Sequence, residues 1–574
     1  MNLSYPIILL LAAATPHETL TALIDQNWQH ELRTYPEMAT AIGDNRYNDK
    51  LSDISSAAIA RENEYDRQLL ADLEKIDAAQ LSAEDRLNQR LLERSLRTGI
   101  AGAAFKDWEM PATQMWGPHL EYAGLAKEMP FKTVRDYENY LSRLRKLPGV
   151  LQQSMANMRQ GMSDGLMPPK YLLAKVAEEA ADVASKKPAE SLFTEPVRNF
   201  PDGIGAAERR RLTKEIDAAV SGEVLPEYAA FAKFVRDEYE PKGRADFGVW
   251  ALPDGEARYR QAIVEQTTTT SDPEELHALG LKQVAEIEKE MLTIAKQQGF
   301  QDLKSFNAHI FADKSHYGKS GEQILSLYAG YTDQMYAKLP QYFGRLPKNK
   351  LVVTPMEAYR APHEVPADYS VGAGDGSRPG RINVNEYEPT KRLLLNVEAI
   401  AYHEGIPGHH LQFSIAQELT DLPPFRKFAS YSAYSEGWAL YAETLAHEMG
   451  FYQDPYSEYG RLQNLMWRSI RLVVDTGVHS KHWTRQQMID FFHEHSAMDE
   501  QNIETEVDRY IAWPAQALGY KLGEMTILRL RERARRELGS KFDIRAFHDA
   551  VLEQGPLPLD VLEANVNGWI AAHR

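Results

Sequence analysis

Ala401-Tyr402-His403-Glu404-Gly405-Ile406-Pro407-Gly408-His409-His410-Leu411-Gln412 places three imidazoles and one carboxylate within eight positions of a 574-residue chain that holds only 17 histidines. A mononuclear zinc hydrolase needs neutral nitrogens and a carboxylate on the metal, an open position for water, and a general base beside it. The usual helical solution is His-Glu-x-x-His, because a separation of four residues sets both histidines on one face. Here Pro407 stands where the second histidine would fall, and Gly408 follows it. Proline removes a backbone donor and clashes with the preceding turn, and glycine accepts conformations other residues resist, so a bulged or broken helix is predicted. On an unbroken helix His410 returns to within roughly 20° of His403 while His409 sits about 120° away. A bulge that absorbs Pro407-Gly408 reverses this and favours His409. Geometry alone leaves both open.

The second half of the constellation is Tyr434-Ser435-Glu436-Gly437-Trp438-Ala439-Leu440-Tyr441-Ala442-Glu443. Trp438, Leu440, Tyr441 and Leu445 suit a buried helix, so the Glu436 carboxylate needs a partner there, and a metal is a good one. One helix carrying His-Glu and a second carrying Glu is the gluzincin arrangement of zinc peptidases. His-Glu-x-x-Pro-Gly-His-His followed by Glu-Gly-Trp-Ala-Leu-Tyr-Ala-Glu resembles the large bacterial family called domain of unknown function 885. That family is more distantly similar to the helical zinc peptidases of the thimet oligopeptidase, carboxypeptidase Taq and angiotensin-converting enzyme type. The resemblance runs from about Leu252 to Gly523, and more loosely before it. The second of the adjacent histidines often differs in the family, which implies His409 as ligand and His410 as neighbour.

The resemblance implies a mainly α fold. The expected form is a bilobal helical zinc-peptidase-like body with a deep central groove and a small antiparallel sheet near the site. Residues 17–574 would form one such domain, with a mostly helical scaffold lobe over 17–347 and a metal-site lobe over 348–574. The formal charge of −17 argues against nucleic acid as partner. With no cysteine in the chain, disulfides, thiolate ligands, a cysteine nucleophile and a lipid-bearing cysteine are all excluded, so any metal is held by His and carboxylate.

Pro6-Ile7-Ile8-Leu9-Leu10-Leu11-Ala12-Ala13-Ala14 is a short apolar run ending in small residues, as in a secretory signal over 1–16 and a periplasmic or secreted protein. It lacks the basic residues that precede such a core and is too short to span a bilayer. The competing readings are a frayed first helix in a cytoplasmic protein or a misplaced start. From His17 to about Pro347 amphipathic helices follow one another. Leu87, Leu91, Leu92 and Leu96 form one stripe among charges, and Lys175 to Ala184 continues the pattern. Ser271-Asp272-Pro273-Glu274-Glu275 predicts a helix start with Asp272 as cap and Pro273 in the first turn.

Strand character is confined to Leu351-Val352-Val353 and to Tyr369–Glu386, where Arg381-Ile382-Asn383-Val384-Asn385 alternates and Gly372–Gly376 reads as a turn. An edge strand there could pair with an extended peptide, or the hairpin could simply cover the core. Further on, Asp475 and His479 are four apart, so on a helix the acid could orient the imidazole. His479 would then be a transition-state donor or a supporting group, and a structural His-Asp contact competes with that. The resemblance implies a late Tyr, sometimes beside an Arg, that hydrogen-bonds the oxyanion. Arg509-Tyr510 matches such a pair, with Tyr520 as second candidate.

The leading expectation is a zinc metallopeptidase of oligopeptidase or carboxypeptidase type acting on short peptides. One Zn²⁺ per chain is held by His403, His409 and Glu436, with His410 as alternative ligand. Glu404 is the general base, and Tyr510, helped by His479 or Arg509, supports the oxyanion. A second reading is a catalytically silent metal- or peptide-binding protein of the same fold. A third is a helical scaffold whose histidines form a polar core network.

Overall fold

The structure is a computed structural model that describes residues 14–356, 361, 365–372 and 378–574. The apolar run up to Ala13 and the Ala373–Gly376 part of the expected turn lie outside the described residues. The chain is mainly helical and divides into two compact units, Met1–Arg244 and Ala245–Arg574. Among the described residues no helix is long and apolar enough to cross a membrane.

The first unit is built on helices Pro16–Thr34, Ser56–Leu73, Ala83–Ala103, Val134–Asp164, Lys170–Ser185, Ala206–Ala219 and Leu225–Phe234. Local sequence starts them: Thr15 with Glu18, and Thr133 with Asp136, form reciprocal capping boxes. Leu91, Leu92 and Leu96 are buried along one stripe while Leu87 is half-buried. Tyr140, Leu144, Val176 and Tyr228 pack in its main core.

In the second unit, Asp272 accepts from the Glu274 N–H at 2.9 Å and caps the helix Pro273–Gln297, which lies along Pro455–Ser480. The helices that carry the site are α1 (Val397–Glu404), α2 (His409–Gln417), α3 (Ser432–Glu448), α4 (Pro455–Ser480), α5 (Glu500–Ala512) and α6 (Gly519–Leu538). From Arg468 to His479 every residue of α4 is buried, so this helix passes through the middle of its unit. Helices α3 and α6 meet at their backbones. A Cβ on Gly437 would lie 2.4 Å from the Gly523 Cα, and one on Gly523 would lie 1.9 Å from the Ala433 carbonyl. Only glycine permits that approach, and it fixes α3 next to Glu436.

The small sheet consists of β1 (Leu351–Pro355), β2 (Ala367–Ser370) and β3 (Gly380–Val384) in the order β1-β3-β2. It is mixed, which corrects the antiparallel expectation: β2 pairs antiparallel with β3, but β1 runs parallel to β3, Leu351 opposite Gly380. The long connection between Pro355 and Gly380 returns the chain to the starting end, as a parallel pair requires. Ile382 and Val384 pack on Ile400 and Ala401 of α1 and on Tyr328, so one face of the sheet backs the histidine-bearing helix.

Candidate metal centre

The helix breaks where Pro407-Gly408 predicts. α1 ends at Glu404, Gly405 leaves helical geometry (φ −95°, ψ −118°), and α2 begins at His409. The turn folds back on α1: the Gly408 N–H donates to the Tyr402 carbonyl at 3.0 Å, and His410 N–H to the Gly405 carbonyl at 2.9 Å. A Cβ on Gly408 would stand 2.0 Å from the His403 carbonyl oxygen, so no other residue fits this path. Trp438 of α3 holds the turn from outside, its indole N–H donating to the Pro407 carbonyl at 2.9 Å.

This path brings His409, and not His410, to His403 and Glu436. His403 Nε2 and His409 Nε2 each lie 3.5 Å from Glu436 Oε2, and the ligand atoms of the three residues are all within 4.8 Å of one another. His410 turns away: its Nε2–H donates to the Asn349 carbonyl at 3.1 Å and its Nδ1 accepts from the Tyr369 hydroxyl at 3.0 Å. Burial pushes the His410 imidazole down to about 4, so it stays neutral in that role.

Separations of 3.5 Å are long for N–H···O hydrogen bonds. They fit ligands around a shared ion: atoms about 2.0–2.1 Å from a tetrahedral centre lie about 3.3–3.4 Å apart. The donor set of two imidazoles and a carboxylate suits zinc chemically. Glu443 completes the support by accepting from His403 Nδ1 at 2.8 Å, which leaves Nε2 to face the centre. Glu404 Oε1 lies 4.0 Å from His403 Nε2, beside the ligand trio and not within it.

Charge reinforces the arrangement. Burial alone would lower the His403 imidazole, but the Glu436 and Glu443 carboxylates hold it up, to about 10. Burial would raise Glu436, yet His403 and His409 keep it well below the usual carboxylate range. Burial raises Glu404, against the pull of the same two histidines. His409 Nδ1 is buried and finds no hydrogen-bond partner among the described residues.

The late residues lie in a neighbouring network. The Tyr510 hydroxyl donates to Glu506 Oε2 at 2.6 Å and accepts from Trp467 Nε1 at 3.0 Å and Arg471 Nε at 2.9 Å. It is fully buried, with its donor already in use. Arg509 donates to Gln516 at 2.6 Å and to the Tyr520 hydroxyl at 3.3 Å, and approaches Glu506 at 3.4 Å. His479 accepts from the Val249 N–H at 3.1 Å and donates to the Tyr510 carbonyl at 2.9 Å, so both ring nitrogens brace backbone. Asp475 accepts from the Tyr259 hydroxyl at 2.6 Å and from the Ala515 N–H at 3.1 Å. Sequence reasoning assigned no role to Glu443, although it lies seven positions after Glu436, two turns along one helix face.

In overall structure the chain is similar to a crystal structure described as that of "the putative lipoprotein from Colwellia psychrerythraea", with a TM-score of 0.92 and 28% identity over 97% of this chain and 100% of that one. It shares its fold with "a putative lipoprotein of unknown function from Shewanella oneidensis", at a TM-score of 0.75 and 18% identity over 96% of this chain and 99% of that one. No curated protein matches it. The profile of the family described as "Bacterial protein of unknown function (DUF885)" matches residues 36–566, and with His403, His409 and Glu436 brought together inside that span, the chain belongs to this family.

Proposed function

We propose that the protein is a zinc-dependent hydrolase of amide bonds in short peptides. One observation carries the reading: two imidazole nitrogens and a carboxylate oxygen share a site within 4.8 Å, with a second carboxylate, Glu404, adjacent but outside the trio. His403, His409 and Glu436 would hold the ion, which when bound supplies a Lewis acid that polarises a carbonyl and acidifies water. Glu443 keeps His403 in one orientation. Glu404 serves as general base, taking the proton of the attacking water and passing it to the leaving nitrogen. Tyr520, whose hydroxyl accepts from Arg509, is assigned as the oxyanion donor in preference to Tyr510, whose proton is committed to Glu506. Asp368 on β2 is among the charges acting on Glu404, so this edge strand lies near the base and could align an extended substrate backbone. The similarity to a described lipoprotein favours a location outside the cytoplasm.

The test is a peptide-library digest by zinc-loaded wild type and by Glu404→Gln. Wild type should release products, and the variant should keep its zinc while turnover falls about 10²- to 10⁴-fold. A fully active Glu404→Gln removes the mechanism. Bound zinc and bound peptide with no product from wild type favours the silent binding protein.

A further inference from the structure

The buried stretch of α4 obliges each of its polar side chains to find a partner inside the protein. Asp475, His479 and Arg471 do so through the bonds described above, and Arg471 also donates to Glu506 at 3.1 Å. Arg468 does not. It is 7% exposed, and its Nε and Nη1 are buried with no acceptor among the described residues. Its guanidinium lies 4.3 Å from the Trp467 ring centroid and 6.0 Å from that of Tyr520. Next to it Arg471 and Arg509 both turn to one carboxylate, Glu506, so neither leaves that acceptor to Arg468.

This cluster of arginines borders the metal centre. Asn464, one turn before Arg468 on α4 and so about 6 Å along the axis, reaches Glu443 at 3.5 Å. Glu443 and Glu436 are the carboxylates that act on Arg468. A buried, unmatched guanidinium is costly unless an anion completes it, and its planar fork fits a carboxylate in bidentate fashion. In a bound peptide the terminal carboxylate lies about 3.5–7 Å beyond the carbonyl one or two residues earlier.

We propose that Arg468 anchors the free C-terminal carboxylate of a short peptide, so that cleavage falls within the last two residues of the substrate. The assignment rests on the peptide-hydrolase reading above and adds to it the end of the chain that is recognised.

The experiment compares binding of N-acetyl-trialanine and its C-terminal amide, by calorimetry, to the full chain carrying Glu404→Gln in zinc-containing buffer. The free acid should bind at least about 30-fold more tightly than the amide. Adding Arg468→Met should bring the two within about threefold, with Tm unchanged or higher, because an apolar side chain replaces an unpaired buried charge. Arg468→Lys keeps the charge without the fork, so it should retain a reduced preference for the acid and guards against a misfolded Met variant. Equal binding of acid and amide, a preference that survives Arg468→Met, or binding of neither peptide overturns the proposal. Acid-selective, Arg468-dependent binding by a wild type that cleaves nothing overturns the hydrolase reading and leaves the carboxylate anchor standing.

Discussion

Glu443 Oε1 sits 2.8 Å from His403 Nδ1, and both groups are almost wholly buried. The contact fixes the imidazole plane and its tautomer before any ion arrives. Glu443→Gln can offer its carbonyl oxygen in the same place but without the negative charge that makes His403 a better ligand. Zinc affinity, measured by competition with a chromogenic chelator, should fall about 10- to 100-fold while the fold is retained. An unchanged affinity would reduce Glu443 to a packing residue.

His409 and His410 should separate cleanly when each is changed to Ala and metal is measured by elemental analysis. His409→Ala should lose the ion. His410→Ala should keep it yet lose about 2–4 kcal/mol in urea unfolding, because a buried side chain vanishes and Asn349 O and Tyr369 Oη lose their partner. Zinc retained by His409→Ala would return His410 to the ligand set.

Gly408→Ala tests the turn that aims His409. The added methyl would meet the His403 and Tyr402 carbonyl oxygens at 2.0 and 2.4 Å, so backbone must move. The expected result is a Tm drop together with loss of zinc, whereas Gly330→Ala, at an open position, should leave the zinc content intact. A Gly408→Ala protein with full zinc content would show that the turn tolerates displacement.

Asp475 supplies a pH test away from the ligands. Burial raises its carboxyl to about 7, against the hydrogen bonds from Tyr259 and Ala515, while in the unfolded chain it titrates near 3.8. A raised acid binds its proton more tightly in the folded state. Its contribution is therefore complete below about pH 3.8 and is lost as pH rises through about 7. Asp475→Asn keeps the acceptor oxygen and removes the titration. It should stabilise the protein by a few kcal/mol at pH 8 and change little at pH 4, read from urea midpoints at both pH values. A variant equally destabilised at both would mean that the carboxyl is needed for shape alone.

The residues that were legible are those whose chemistry is local. Asp272 capping its helix, the leucine stripe of 91, 92 and 96, and the break at Pro407-Gly408 all follow from a few neighbouring positions. Spacing alone left His409 and His410 open, and only the family resemblance favoured His409, because the path of the turn depends on Trp438, 31 positions later. Distance in sequence also hid the partners of His479. Its bond to Val249 spans 230 positions, and the nearby Asp475 instead receives Tyr259. Tyr510 stood out by residue type, but only the packing of α4 against α5 shows its hydroxyl saturated by Trp467, Arg471 and Glu506. Arg468 is the extreme case, since a missing acceptor leaves no trace in a sequence.

Three separate helices deliver His403, His409 and Glu436, so an ion held by them is also a cross-link that staples α1 to α3 across the connection around residues 418–431. Chelation would cut that staple. A protease sampling the connection should then nick the metal-stripped protein faster than the loaded one, so that supply of the ion would set the protein's lifetime.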